Sequence, residues 1–178
     1  MNKIAFIVGL FAVALFVLGY LQKKRSAILA LGITSRLLYV VQYLLLGAYA
    51  GAVLDVVGAG SGALAQGSDK GFVKKHKKLI FIAVNLLTIV IGIVLFLQSK
   101  KPEDFLPLVG ILVQTDALWL KKEKHIRLVS IIGCPCWFSY NIITGAYSSC
   151  IGDVLSFLAL SSSIIRYDIL GKEEATEK

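Results

Sequence analysis

Charged side chains are scarce in this sequence. They make up 17% of its 178 residues, whereas a soluble domain averages about 25%. Apolar residues account for 57%, above the soluble average of about 45–50%. One small core could not bury so much apolar sequence, which excludes a soluble enzyme domain, and a chain this apolar is not disordered. The composition therefore predicts an integral membrane protein.

Cysteine and the usual catalytic motifs are also scarce. The three cysteines, Cys134, Cys136 and Cys150, are too few and too irregularly spaced for a zinc site. Cys134 and Cys150 are expected in opposite halves of the bilayer, which argues against a disulfide. The sequence has no nucleophile–base pair, phosphate-binding loop or metal motif. We therefore expect neither an enzyme nor a bound cofactor or metal.

Seven apolar runs are candidate membrane-spanning helices, which need about 20 residues with a usable range of about 17–25. The third and fifth runs are the shortest, and each contains an aspartate. We expect the first run to be a retained helix rather than a cleaved signal peptide, because it is too long and lacks a small-x-small cleavage site. The seven runs are 4–21, 28–47, 51–66, 79–97, 105–120, 128–144 and 148–165.

The surplus of positive charge lies almost entirely on one side of this predicted topology. The chain has 19 Lys and Arg against 11 Asp and Glu, a net charge of +8. The loops 22–26, 67–78 and 121–127 and the C-terminal tail carry fourteen of the cations, and the opposite side carries three. Short loops rich in Lys and Arg stay in the cytoplasm. The N-terminus is therefore predicted outside and the C-terminus inside, with the lipid bilayer rather than nucleic acid as the partner of the basic loops.

An internal repeat relates positions that are 98 residues apart. The triplet Gly-Ala-Tyr at 47–49 recurs at 145–147, and an aspartate follows each triplet after five residues, Asp55 and Asp153. The same offset relates Tyr39 to Trp137. Two three-span units joined by one linker span would run parallel, an arrangement found in SWEET transporters, whose substrate site lies at the repeat interface. Alternatively, the duplication is ancestral and retained only for packing.

The predicted fold is an all-α membrane protein with seven transmembrane helices, arranged as two parallel three-helix repeats and a linker helix. The first repeat is expected at 1–66, a basic cytoplasmic loop and the linker helix at 67–98, the second repeat at 99–170, and a charged cytoplasmic tail at 171–178. Gly58-x-x-x-Gly62 in the third run is a weak indication of a homo-oligomer.

The second half of the chain also contains the pattern Arg127-x5-Gly133-x-Pro135-x-Trp137-x-x-Tyr140-Asn141, followed by Gly145-Ala146-Tyr147, Gly152-Asp153 and Arg166-Tyr167-Asp168. With these residues the chain resembles, over nearly its whole length, the YgjV family of bacterial inner-membrane proteins. That family is distantly similar to the SWEET, SemiSWEET and PQ-loop transporters.

The resemblance implies a location in the bacterial inner membrane and a pocket between the repeats. A Trp and an Asn from each SWEET repeat line the sugar pocket. By resemblance, Trp137 takes the Trp place, Tyr39 is its counterpart, and Asp55 and Asp153 stand where SWEETs have Asn. The first span lacks the proline–glutamine pair of those transporters, and Asp in place of Asn argues against a neutral sugar.

Four ionisable residues fall inside the predicted spans, namely Arg36, Asp55, Asp116 and Asp153. Such residues are costly in a membrane and are candidates for function. At about 1.5 Å per residue, Asp55 and Asp153 lie about 7 Å from the outer ends, and Arg36 and Asp116 about 16–18 Å, near the midplane. The depths predict a midplane Arg36–Asp116 ion pair, with a role in packing or in gating.

The same depths predict a substrate-binding cavity lined by Tyr39, Asp55, Trp137 and Asp153. Two facing carboxylates suit proton coupling, or a cationic or hydroxyl-rich solute, because like charges at low dielectric favour a shared proton. Alternatively, each aspartate caps its helix by accepting backbone N–H bonds.

We therefore expect a transporter for a small-molecule solute, with SWEET-like architecture and alternating access between the repeats. The alternative is a non-transporting membrane scaffold or accessory subunit. A polar cavity between the repeats would favour transport, and a dry interface the scaffold.

Overall fold

The computed structural model describes residues 2–170, which are almost entirely helical. The predicted tail at 171–178, with Lys172 and Lys178, lies outside the described residues. Within them are a 3-10 turn at Pro102–Asp104, a π-helical segment at Ile164–Leu170 and eight α-helices. The α-helices are α1 (Lys3–Tyr20), α2 (Arg25–Leu46), α3 (Tyr49–Gln66), α4 (Gly71–Lys75), α5 (Lys77–Ser99), α6 (Phe105–Leu118), α7 (Glu123–Ile143) and α8 (Tyr147–Ser163).

Five helical stretches are long and apolar enough to cross a membrane. They are α1, α2, α5, α7, and α8 together with the π-helical segment that continues it. α3 has 18 residues, but its glycines, its aspartate and its glutamine dilute the hydropathy. α6 has 14 residues, about 21 Å of helix, which is less than a hydrocarbon core of about 30 Å. The predicted all-α, multi-helix membrane architecture is confirmed, whereas α3 and α6 do not qualify as spans by themselves.

The helices pack as two groups of three, with α5 and the short helix α4 outside them. α2 packs against α1 and α3, and α7 packs against α6 and α8. The two groups meet where α1 contacts α8 and where α3 contacts α6. A central core of buried aromatic and aliphatic residues, including Tyr43, Trp137 and Tyr140, lies between the groups.

α5 lies at the periphery, against α3 and α6. Its buried residues are Thr88 and Gly92. A Cβ at position 92 would lie 2.5 Å from a methyl carbon of Leu108, so the glycine permits the close approach of α5 to α6. Leu86 and Leu87 are more than half exposed, as expected for side chains that face lipid acyl chains.

The small-residue face of α3 is used inside the chain. A Cβ at Gly58 would lie 2.5 Å from Ile111 of α6, and a Cβ at Gly62 would lie 3.0 Å from Ile33 of α2. These glycines let α3 pack closely against both neighbours. The face that suggested a homo-oligomer is therefore occupied by the chain itself.

Two short turns with the same backbone conformation connect α2 to α3 and α7 to α8. Gly47 and Gly145 have φ of 71° and 72°, a left-handed conformation that favours glycine. In each turn the following alanine N–H bonds to a carbonyl five residues earlier, at 2.9 Å. We call this end of the helix bundle the GAY end, and the opposite end, with the loops at 21–24, 67–70 and 119–122, the basic end.

Candidate functional site

The four predicted pocket residues lie around one internal cavity between the two helix groups. Tyr39, Asp55, Trp137 and Asp153 all line it, and each is at most 9% exposed. The cavity has a volume of about 20 Å³, which is room for one water molecule. The other lining residues are Phe16, Arg36, Tyr43, Gln114 and Asn141.

Most of the lining residues form pairs that are 98 positions apart. The pairs are Phe16 with Gln114, Tyr39 with Trp137, Tyr43 with Asn141, and Asp55 with Asp153. One pair is in direct contact, because the Tyr43 hydroxyl donates a hydrogen bond of 2.7 Å to Asn141 Oδ1. The cavity is thus lined largely by residues that share the 98-residue offset seen in the sequence.

Arg36 is the one lining residue whose equivalent lies outside this set. Its Nη1 forms a salt bridge of 2.6 Å with Asp55 Oδ1, and its Nη2 donates to Gln114 Oε1 at 3.1 Å. Arg36 and Asp55 are 5% and 2% exposed. The predicted Arg36–Asp116 pair is therefore wrong, since Asp55 of the neighbouring helix is the partner of Arg36.

Asp116 lies away from the cavity. It accepts a hydrogen bond of 2.9 Å from Asn85 Nδ2 of α5 and is partly exposed. The predicted depth was counted from the start of the run at residue 105, and α6 does begin there, but this helix ends at Leu118, two residues after Asp116. Asp116 is consequently near the basic end of a short helix rather than at the midplane.

Asp153 has no cationic partner among residues 2–170. Its Oδ2 accepts a hydrogen bond of 2.8 Å from Asn141 Nδ2, and the salt bridges of the described chain are Arg36–Asp55 and Arg127–Asp168. The residue 98 positions after Arg36 is Cys134. Asp55 and Asp153 therefore have different partners.

The side chains of the two aspartates do not cap their helices. α3 and α8 begin after Ala48 and Ala146, without a side-chain cap. The hydrogen bonds that Asp55 and Asp153 accept come from the side chains of Arg36 and Asn141. The capping alternative thus has no support in the geometry.

Aromatic rings form a large part of the cavity wall. Tyr43 stacks on both Tyr39 and Trp137, with ring centroids 6.2 Å apart in each case. Trp137 Nε1 is buried and has no hydrogen-bond partner within residues 2–170. It lies against Gly110, where a Cβ would come within 2.7 Å of this nitrogen. Because residue 110 is a glycine, the indole of Trp137 has room to reach the cavity.

Hydrogen bonds between the two helix groups close the cavity toward the GAY end. The Gly51 N–H donates to the Tyr140 hydroxyl at 3.1 Å, and the Ser149 hydroxyl donates to Gln42 Oε1 at 2.8 Å. Above this layer is an open depression of about 440 Å³, which Tyr140 also lines together with Lys101, Glu103 and Asp104. Tyr140 and Tyr43, with centroids 6.1 Å apart, separate the depression from the cavity.

A second closure lies toward the basic end. A void of about 20 Å³ shares Phe16, Arg36 and Gln114 with the cavity and extends to Tyr20 and Leu118. Beyond it, the Arg25 guanidinium donates to the carbonyls of Leu118, Leu120 and Ala65 at 2.9–3.1 Å. Arg25 of α2 thereby joins the ends of α3 and α6. The central cavity is enclosed from both ends.

Sequence reasoning missed several polar residues of the site. Gln114, Asn141 and Tyr43 line the cavity, and Gln42 lies in the layer above it. Two signals in the sequence point to them: they are polar or amphipathic residues in otherwise apolar runs, and Gln114 and Asn141 stand 98 positions after Phe16 and Tyr43. Phe16 and Gln114, and likewise Tyr43 and Asn141, differ in chemistry, so residue similarity at this offset does not reveal these two pairs.

The family model Imp-YgjV, described as a bacterial inner membrane protein, matches residues 3–169. The chain belongs to this family. The match takes in every α-helix and both aspartates of the cavity, and it confirms the resemblance seen in the sequence. The YgjV-family chain is therefore a bacterial inner membrane protein with several membrane-spanning helices.

Comparison of this YgjV-family chain with curated proteins and with solved structures gives no significant match in either set. Its likeness to the SWEET transporters stays a prediction from sequence.

Proposed function

We propose that this YgjV-family protein is a small-solute transporter that works by alternating access between two parallel repeats. The central cavity carries the proposal. It lies between the two helix groups, and eight of its nine lining residues are four pairs of equivalent positions. It also encloses Arg36, Asp55 and Asp153, and buried charges are costly in a membrane and mark substrate or ion pathways. Parallel-repeat transporters bind substrate at such an interface.

Helix positions and contacts support the arrangement of two repeats and a linker. Shifted by 98, the first residues of α2 and α3 fall on the first residues of α7 and α8. Under the same shift the α1–α8 contact becomes the α6–α3 contact, and both are present. A pseudo-twofold axis along the membrane normal has this effect. α5 has no counterpart and takes the place of the linker.

In this proposal α3 and α6 complete seven spans. Ten residues of α3 and seven of α6 are buried against other helices, and a helix shielded from lipid tolerates polar and small residues. The 3-10 turn at Pro102–Asp104 directly precedes α6 and lengthens it to about 27 Å. With seven spans, the distribution of Lys and Arg puts the N-terminus outside and the C-terminus in the cytoplasm.

The closures at the two ends support alternating access. The Gly51–Tyr140 and Gln42–Ser149 hydrogen bonds join one helix group to the other at the GAY end, and Arg25 joins α2 to α6 at the basic end. Movement of one group against the other would break one set of bonds while the other set persists. The described state, closed at both ends, corresponds to an occluded intermediate.

The charge balance favours a cationic solute or a proton as the transported species. One arginine stands against two carboxylates, and the rings of Tyr39, Tyr43 and Trp137 present faces that attract cations. A positive charge in the cavity would balance Asp153. The solute passes unchanged in this proposal, with no chemical step by the protein.

The proposal is tested by a thermal-shift screen of the purified protein against sugars, amines and vitamins. We expect an amine to raise the melting temperature. Its apparent affinity falls by at least about tenfold in Asp153→Asn, because removing one partner of a buried charge pair costs about 2 kcal/mol or more. Asp69→Asn, an exposed acid at the basic end, is the matched control and should behave as the unchanged protein.

Uptake of the compound found in the screen into proteoliposomes, with and without a pH gradient, tests coupling to protons. Asp153 shares the cavity with Arg36 and Tyr39 of α2, Asp55 of α3 and Asn141 of α7. We expect the Asp55→Asn/Asp153→Asn double variant to lose the dependence of uptake on pH. Unchanged uptake with unchanged pH dependence would exclude coupling through these carboxylates.

The small volume of the cavity favours a second candidate, a membrane scaffold whose repeats never separate. Accessibility distinguishes the two. A single cysteine at Asn141, in a variant without the three native cysteines, should react with a small water-soluble thiol reagent if the GAY end opens. A cysteine that stays unreactive while the exposed Lys101→Cys control is labelled would favour the scaffold.

A further inference from the structure

Asp153 is also reached from the lipid-facing surface of the protein. A groove of about 270 Å³ between α7 and α8 has Asp153 among its lining residues, as does the central cavity. The wall of this groove is formed by Pro135 and Phe138 of α7 and by Val154, Phe157 and Leu158 of α8. Val154, Phe157 and Leu158 are about half exposed on the outside of the helix bundle, so the groove faces the region of the acyl chains.

Comparison of equivalent positions in the two proposed repeats shows that this groove lacks a cation beside Asp153 in the described part of the chain. In the first repeat, Asp55 is balanced by the Arg36 guanidinium at 2.6 Å. In the second repeat, Asp153 occupies the place of Asp55, and Cys134 occupies the place of Arg36. Cys134 is buried and lines the groove. The shorter side chain therefore leaves Asp153 without a cation on the side from which the groove approaches it.

We propose that this groove binds a lipophilic organic cation, an amine that carries an apolar group and enters from the bilayer. Its ammonium group pairs with the Asp153 carboxylate, as the Arg36 guanidinium pairs with the Asp55 carboxylate. Its apolar group lies against Phe138, Phe157 and Leu158. The inference rests on the proposed function, because it names the class of substrate that Asp153 would bind. Binding from the lipid side does not itself require transport.

Three probes of nearly the same shape separate charge from hydrophobicity. They are 3-phenylpropylamine, the neutral 3-phenylpropanol and the anionic 3-phenylpropionate, and their binding is measured with the full-length protein in lipid nanodiscs. We expect the amine to bind at least about tenfold more tightly than the alcohol, and the anion to bind more weakly than either, because a charged partner strengthens a desolvated contact. Equal binding of amine and alcohol would overturn the proposal.

Two variants locate the site. Asp153→Asn removes the charge and keeps an oxygen that Asn141 can donate to, so amine and alcohol should then bind alike. Val154→Trp fills the groove and should weaken both by about tenfold. Its matched control is Val56→Trp, since Val56 is the equivalent residue of α3, equally exposed and outside the groove. If Asp153→Asn fails to fold, Val154→Trp decides, and amine affinity unchanged by that variant would overturn the proposal.

The outcome is distinguishable from that of the proposed function. Val154→Trp should leave the binding of methylamine, a small hydrophilic cation, unchanged, because that probe reaches the cavity from the ends of the helix bundle. Methylamine uptake without preferential phenylpropylamine binding would retain the transporter and refute the groove. Phenylpropylamine binding that depends on Asp153, without uptake of any solute found in the screen, would retain the groove and refute transport.

Discussion

At the scale of single residues, Arg36 shows how the interior of this protein is organised. Its guanidinium contacts Asp55 of α3 and Gln114 of α6, so one side chain of α2 links both helix groups. Two buried charges gain little net stability from pairing, but removal of one leaves the other without compensation. We infer that the pair acts chiefly by determining which faces of the helices meet.

Replacement of Arg36 tests that role. We expect Arg36→Met to lower the free energy of unfolding in detergent by about 3–5 kcal/mol, because Asp55 is left buried and unpaired. The Arg36→Met/Asp55→Asn double variant should be more stable than the sum of the two single changes, by about 1 kcal/mol or more. Lys75→Met, at an exposed position of α4, controls for loss of positive charge. Additive effects would show that Arg36 and Asp55 do not depend on each other.

The surroundings of Asp116 could not be predicted from its depth along the helix. Distance along a helix can be counted from the sequence, and it placed Tyr39, Asp55, Trp137 and Asp153 at heights consistent with one cavity. The count does not say where a helix ends or toward which neighbour a side chain points. α6 ends at Leu118 and Asp116 contacts α5, and both facts depend on packing.

At the scale of elements, the two glycine turns place the aspartates at the same height in their helices. Each turn ends a helix with a left-handed glycine and starts the next helix two residues later. Asp55 and Asp153 consequently stand at the seventh position of α3 and α8. The turn motif was readable in the sequence because left-handed φ restricts the choice of residue so strongly.

The two turns should respond alike to substitution. A Cβ at Gly47 or Gly145 would meet no atom within 4 Å, so Gly47→Ala and Gly145→Ala differ from the unchanged protein only by backbone strain. We expect each to lower the free energy of unfolding by about 1–2 kcal/mol. Gly60→Ala is the matched control, because Gly60 is helical with open space at its Cβ, and it should be neutral or slightly stabilising. Thermal unfolding in detergent measures all three, and a neutral Gly145→Ala would contradict equivalence of the turns.

At the scale of the whole molecule, charge and hydropathy define an orientation that labelling can test. In the seven-span proposal the loop at 100–104 faces outward and the stretch 67–78 faces the cytoplasm. In a cysteine-free background, Lys101→Cys should react with a membrane-impermeant thiol reagent in intact cells. Lys75→Cys should react only after permeabilisation. Labelling of both positions from outside would contradict the seven-span count, since α5 separates them.

The sequence by itself determined the class of protein, the approximate limits of the helices and two of the four residue pairs that line the cavity, Tyr39 with Trp137 and Asp55 with Asp153. These properties depend on composition, on local backbone preference and on a constant offset of 98 residues that can be read along the sequence. The tertiary structure alone decided that Arg36 pairs with Asp55, that Asp116 lies outside the cavity and that Asp153 has no cation beside it within residues 2–170. Ion-pair choice depends on which helix faces meet. Close contacts at residues such as Gly58 and Gly110 set those faces, and only the packed helices reveal them.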